Sequence, residues 1–181
     1  MKNAKIFLFL GGLLFIMSSC SPKLTPFTQK LYDQNKWSES ELKSIQFYLS
    51  EDIVLRREAS SGSSTIEGGE IKMVDGKKLE EVVVKEGTPG VLVFLPKQNR
   101  FAVSFESEND ERYLMFGPNP KAGNRYVLLA SDWKRNRGKV SYDGKPFFTP
   151  SQSAYAALLV DLKKVRKVSV KSHTAKGRKI K

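Results

Sequence analysis

Gly69-Glu70-Ile71-Lys72-Met73-Val74-Asp75-Gly76-Lys77-Lys78-Leu79-Glu80-Glu81-Val82-Val83-Val84-Lys85 carries the clearest structural signal in the chain. Asp-Gly between two strand-like runs marks a two-residue turn. Both of its central residues take positive φ, and its twist matches that of an antiparallel pair. The stretch therefore predicts a β-hairpin. Asp143-Gly144 repeats the signal further along, between Lys139–Tyr142 and Pro146–Thr149.

Between the two hairpins the residues keep a period of two. Gly87-Thr88-Pro89-Gly90 turns the chain, and Val91 to Leu95 reads as an apolar strand that Pro96 ends. Phe101, Val103 and Phe105 alternate. Glu106 to Glu111 reads as a solvated acidic hairpin tip. Its oxygens suit Ca²⁺, but it lacks the Asp-x-Asp-x-Asp-Gly order of a calcium loop. Tyr113–Phe116 and Tyr126–Ala130 read as strands around a rigid Gly117-Pro118-Asn119-Pro120 loop. Upstream, Ile53 to Arg57 is the first expected strand, followed by a Ser/Gly loop at Ala59–Ser64. Downstream, Ala154, Ala156, Leu158, Val160 and Leu162 fall on one face at period two. Thr149-Pro150-Ser151-Gln152 also reads as a helix start, so strand is preferred and helix stays open. Val165, Val168 and Val170 are expected to extend the sheet.

Ahead of the first strand, Ser38 and Glu41 have the spacing of a capping box, in which each side chain satisfies a free backbone N–H. Leu42, Ile45 and Leu49 follow at helical spacing and predict a helix from Glu39 to about Ser50. Residues 20–37 read as a tether with a possible short helix, begun at Thr25-Pro26, that places Phe27 and Leu31 on one face. The expected fold is mainly β, an antiparallel meander forming a barrel or sandwich, with one or two short N-terminal helices. The expected globular domain covers residues 38–170, with a basic tail at 171–181.

The N-terminus has a different character. Lys2 and Lys5 precede the uncharged run Ile6 to Met17, which ends in Ser18-Ser19-Cys20, the one cysteine of the chain. Twelve residues are too few for a membrane-spanning helix, which needs about 20, and fit the apolar core of a cleaved signal. Ile16-Met17-Ser18-Ser19-Cys20 resembles the lipobox of a bacterial lipoprotein signal peptide, with Met17 where Leu is usual. The resemblance implies removal of residues 1–19 and a thioether-linked diacylglycerol on Cys20. Ser21, in place of an Asp, implies the outer membrane. Ser21-Pro22-Lys23-Leu24 has no acidic export signal, which favours the periplasmic face over the cell surface. With its capping-box helix, β meander and basic end, the chain resembles the uncharacterised envelope lipoproteins of Bacteroidota, a likeness that carries no activity to transfer.

The formal charge of +12 is unevenly placed. Without residues 1–19 it is +10, of which residues 163–181 hold +9 and residues 20–162 only +1. The domain is near neutral and the basic end is made by Lys163, Lys164, Arg166, Lys167, Lys171, Lys176, Arg178, Lys179 and Lys181. In a cytosolic protein such an end suggests nucleic acid. In an exported one, lipid headgroups and envelope polysaccharides are the available polyanions, and nucleic acid is disfavoured.

The single histidine, His173, lies in that tail, which argues against Ser–His or Cys–His catalysis and against a zinc site in the domain. No cofactor is expected. Glu80 and Glu81 are strand neighbours and face opposite ways, so they do not form an acid–base pair. Trp133-Lys134-Arg135-Asn136-Arg137 sets three cations beside an aromatic. With Lys121, Arg125, Tyr113 and Tyr126 it suits a sugar phosphate or other anion, and it equally suits an ordinary surface loop whose Trp rests on the rim. Three functions follow. The first is a non-enzymatic, lipid-anchored accessory that contacts an envelope polyanion or outer-membrane protein through basic surfaces. The second is a small barrel carrying a hydrophobic ligand. The third is a carboxylate-dependent hydrolase. Oligomeric state is not legible.

Overall fold

The computed structural model describes residues 23–59, 70–74, 77–107 and 110–168. The chain order is β1 (Leu24–Pro26), α1 (Gln29–Asn35), α2 (Glu39–Leu42), β2 (Phe47–Leu49), β3 (Ile53–Glu58), β4 (Glu70–Val74) and β5 (Lys77–Val84). It continues with β6 (Pro89–Lys97), β7 (Arg100–Ser104), β8 (Tyr113–Asn119), β9 (Arg125–Leu128), β10 (Ser131–Lys134), β11 (Arg137–Tyr142) and β12 (Lys145–Pro150). Last come β13 (Leu158–Asp161) and α3 (Leu162–Val168). Cys20, Ser60–Ser64 of the expected loop, Asp75-Gly76, Val170 and the tail residues Lys171, His173, Lys176, Arg178, Lys179 and Lys181 lie outside the described residues.

The strands form two antiparallel sheets, ordered β1-β13-β2-β6-β7-β8-β9 and β10-β11-β12-β3-β5-β4. Mainly β, with short helices near the N-terminus, is the expected class. The closed-barrel alternative is corrected, because no single ladder runs round the molecule. The chain changes sheet four times, after β2, β5, β9 and β12, and one hydrophobic core lies between the sheets. The first sheet curls until its edge strand β9 meets the opposite end through the bridges Thr28–Arg125 and Val127–Ala157.

The hairpin signals hold. Val74 pairs with Lys77 across β4 and β5. Asp143 and Gly144 both have positive φ, at 53° and 66°, between β11 and β12. Ser38 forms the expected capping box with Glu41.

Several boundaries differ. The expected helix to Ser50 ends at Leu42, because Phe47 is drawn into the sheet between Gly90 and Val160. Leu42, Ile45 and Leu49 are buried as their spacing implies, but Ile45, Phe47 and Leu49 satisfy a period of two equally well. Residues 24–37, read as a tether, are built into the domain. β1 pairs with β13, and Phe27 and Trp37 are buried. The short helix starts after Thr28, whose hydroxyl accepts from the Leu31 N–H. In the segment 154–162 the chain makes a short 3₁₀ turn at Ser151–Tyr155 and then the preferred strand, β13. Val165 and Val168 do not extend that strand. Asp161 caps α3 by accepting from the Lys163 N–H, and the helix buries Val165. Finally, Pro96 and Pro118 lie inside β6 and β8. Pro96 sits at a register shift, and Pro118 lies beyond Phe101–Phe116, the last pair of the β7–β8 ladder, while still pairing with Tyr126 of β9.

Phe27 organises the first sheet's interior. Its ring centroid lies 5.0 Å from Tyr126, 5.4 Å from both Phe47 and Phe101, and 5.9 Å from Trp37. Such pairs contribute about 0.5–1.5 kcal/mol each beyond burial. The Tyr126 hydroxyl, buried with them, donates to Gln29 of α1. The sheets are also joined by polar contacts. Glu106, after β7, accepts from Arg112 at 3.0 Å and from the Tyr142 hydroxyl of β11. The solvated acidic tip is therefore corrected at its first residue, which ties one sheet to the other.

Candidate functional site

On the second sheet, Ile53, Leu55, Val82, Val84, Val140 and Phe147 point inward. Their strand neighbours point outward, and on β10, β11, β12 and β3 these neighbours line a groove of about 970 Å³. It contains Lys134, Arg135, Arg137 and Lys139, against the carboxylates Glu58 and Asp132. None of the four cations pairs with a carboxylate of the described residues.

Local geometry brings the cations together. Arg135 and Asn136 form a two-residue turn with φ of 44° and 65°, so Lys134 and Arg137 are directly paired across the strands. Like charges opposite one another on a sheet are destabilising. Asp132 also has positive φ, 48°, at the register shift between Ser131 and Lys134. Left-handed backbone at a residue bearing a Cβ costs roughly 1–2 kcal/mol, less for Asn and Asp. The hairpin thus carries both like-charge repulsion and left-handed backbone.

The structure brings Lys134, Arg135 and Arg137 together in the groove but not the aromatic named with them. Trp133 faces away from the groove, into a separate pocket of about 370 Å³ with Pro118, Leu129 and Tyr155. Gly138 makes room for its ring, since a Cβ there would sit 2.8 Å from Trp133 Cζ2. The ring in the groove is Phe148, 47 % exposed, with the Arg137 guanidinium carbon 5.9 Å from its centroid. Phe147-Phe148 within a strand was the available signal, because a buried Phe147 forces Phe148 outward. The other suggested partners lie elsewhere. Tyr126 is buried in the aromatic core, Tyr113 packs on Phe94, and the Arg125 Nε–H donates to the Ala122 carbonyl. Lys121 is exposed beside the β8–β9 turn.

Lys163 and Lys164 are exposed on α3, which packs on β13 of the first sheet and not on the groove. Arg166 and Lys167 continue the same helix. Lys171, Lys176, Arg178 and Lys179 lie outside the described residues.

The remaining charged pairs are cross-strand. Glu80 and Glu81 face opposite sides, as alternation requires. Arg57 donates to Glu80 on the inner side, and Arg56 donates to Glu81 at 2.6 Å on the outer side. The Arg57 guanidinium also lies 5.4 Å from the Phe147 ring centroid. Burial pushes the Tyr142 hydroxyl pKa well above its ordinary value, and the neighbouring Glu106 carboxylate adds to the shift. Tyr126 is raised by burial as well. Among the described residues no group of three or more His, Cys, Asp and Glu side chains is placed to hold a metal ion. No helix of the described residues is long and apolar enough to cross a membrane.

No protein-family model, curated protein or solved structure matches this chain. The groove, its charge and its geometry are the whole basis for a functional reading of the domain.

Proposed function

We propose that this chain is a non-enzymatic, lipid-anchored envelope protein that holds an anionic envelope component against the outer face of its second sheet. The observation that carries this reading is the groove, in which Lys134, Arg135, Arg137 and Lys139 converge without carboxylate partners among the described residues. Cations gathered in a concave site focus potential and attract anions at a distance. The Cys20 anchor, at the periplasmic face of the outer membrane, is supported by the lipobox resemblance of residues 16–20. The alternative of a hydrophobic-ligand carrier has less support, because Phe27, Phe47, Phe101 and Tyr126 occupy the interior of the first sheet. A carboxylate hydrolase has less still, since Glu80, Glu81 and Glu106 are each engaged by an arginine.

The test is sedimentation of the protein with lipopolysaccharide aggregates and with vesicles containing phosphatidylglycerol, across a salt series. Arg135→Glu with Arg137→Glu is expected to weaken association roughly tenfold or more, with a shallower salt dependence. Deleting residues 169–181 is expected to weaken it less. Unchanged association in the double variant overturns the groove, and loss only on deletion moves the contact to the tail. Mass spectrometry of the native protein tests the anchor. The expected product lacks residues 1–19 and carries acyl mass on Cys20, and an intact N-terminus overturns it.

A further inference from the structure

Beside the groove lies a second cavity of different chemistry. β12 and β3 share one residue pair in register, Phe148 opposite Arg56, and a pocket of about 260 Å³ opens where they part. Leu79, Phe148 and Pro150 give it apolar walls, and Arg57, Arg137 and Thr149 give it polar ones. Thr149 is fully buried, and its Oγ1 has no hydrogen-bond partner among the described residues. A buried hydroxyl left unpaired is costly, and most such groups have a protein or bound partner.

Two of the three arginines here are already compensated, Arg56 by Glu81 and Arg57 by Glu80, and the Glu58 carboxylate also lies in the lining. A bare anion therefore gains little in this pocket. An uncharged ring bearing hydroxyls suits it better, with one face on Phe148 and Leu79 and one hydroxyl at Thr149. Arg137, Phe148 and Glu58 line both cavities, so pocket and groove are continuous. Ligand sites of about 300–1,000 Å³ that combine apolar walls with a few placed polar groups are the usual form for small molecules.

We propose that pocket and groove together form a receptor for a phosphorylated saccharide. The sugar ring enters the Thr149 pocket, and its phosphate meets Lys134, Arg135, Arg137 and Lys139. This inference rests on the anion-binding reading of the groove and names its ligand class. Thr149 makes the site a sugar site as well as an anion site.

The test is calorimetric titration of the full-length protein in detergent with inorganic phosphate, glucose, glucose 1-phosphate and N-acetylglucosamine 1-phosphate. At least one sugar phosphate is expected to bind tenfold or more tighter than inorganic phosphate. Thr149→Val preserves shape and removes the hydroxyl. It is expected to abolish that advantage while leaving phosphate binding intact and the thermal midpoint unchanged or raised. Thr149→Ser, which keeps the hydroxyl, is expected to retain most of the advantage and covers the case in which Thr149→Val fails to fold. Equal affinity for phosphate and both sugar phosphates overturns the sugar subsite and leaves the groove standing. So does an unchanged advantage in Thr149→Val. Absence of binding by phosphate and sugar phosphates alike overturns both readings.

Discussion

The first sheet folds its aromatic side chains inward until its ends meet, while the second offers one face to the core and the other to water. In the first, Phe27 contacts four other rings and the interior is filled. In the second, Phe147 is buried and its neighbour Phe148 is half exposed among cations that have no carboxylate partner among the described residues. The same ion pair is also built twice at adjacent positions. Arg57–Glu80 lies on the inner side, with the side chains 15 % and 2 % exposed. In Arg56–Glu81, on the outer side, the arginine is 50 % exposed. The difference separates an arginine enclosed in the core, Arg57, from one that water reaches, Arg56.

The sharpest way to break this contrast is at the rings. Phe27→Ala is expected to cost about 3–5 kcal/mol in denaturant unfolding, as for large core truncations. Phe148→Ala is expected to stay within about 0.5 kcal/mol, as for exposed positions, yet to weaken binding in the groove. Comparable losses in the two variants would erase the distinction between the sheets.

The twin ion pairs give the next largest effect. Removing one partner of a buried pair costs about 3–5 kcal/mol because the other charge is left uncompensated. Glu80→Gln is expected near the lower end of that range. Glu81→Gln is expected at about 1 kcal/mol, since water reaches Arg56. Chemical unfolding of the two single variants makes the comparison, and equal values would mean that inner and outer pairs are electrostatically alike.

The smallest effect is in pH. Tyr126 and Tyr142 both have hydroxyl pKa values raised above the ordinary 10.0, chiefly by burial. A raised folded-state value means that the stabilisation is complete below the unfolded value and is lost as pH rises toward the folded one. The thermal midpoint is therefore expected to fall above about pH 10. Tyr126→Phe removes one of the two titrations and is expected to flatten that fall. A midpoint as steep in the variant would assign the alkaline loss to other groups.

Much of this architecture was legible from local chemistry. Asp143-Gly144 and the Asp75-Gly76 stretch marked hairpins, and Ser38 with Glu41 marked a cap, because turns and caps depend on a few adjacent residues. Residues 42–49 were read as helix, but two periods fit the same apolar positions, and the partner strands β6 and β13, distant in sequence, made Phe47–Leu49 a strand. At the site, the cations of 134–137 were visible as a cluster. Their aromatic partner was not, because the register shift at Asp132 re-aims Trp133 and only the pairing of β11 with β12 brings Phe148 alongside. The pocket at Thr149 depends on β12 and β3, which lie about ninety residues apart in sequence, and no local pattern announces it.

β1 begins at Leu24 and is held by β13. If Cys20 carries the anchor we propose, the leash between lipid and domain is four residues, roughly 14 Å even when fully drawn out. So short a leash limits the domain to a layer about one strand-length above the bilayer and restricts how it can turn. The last strand lies beside the first, so α3 starts from the same neighbourhood and its lysines are confined to the same layer. Reach then becomes a selective property of the molecule. A soluble partner can approach from any side, whereas a membrane-borne one must present its phosphates within that narrow shell. Inserting a flexible segment after Ser21 would widen the shell without touching a single contact in the groove.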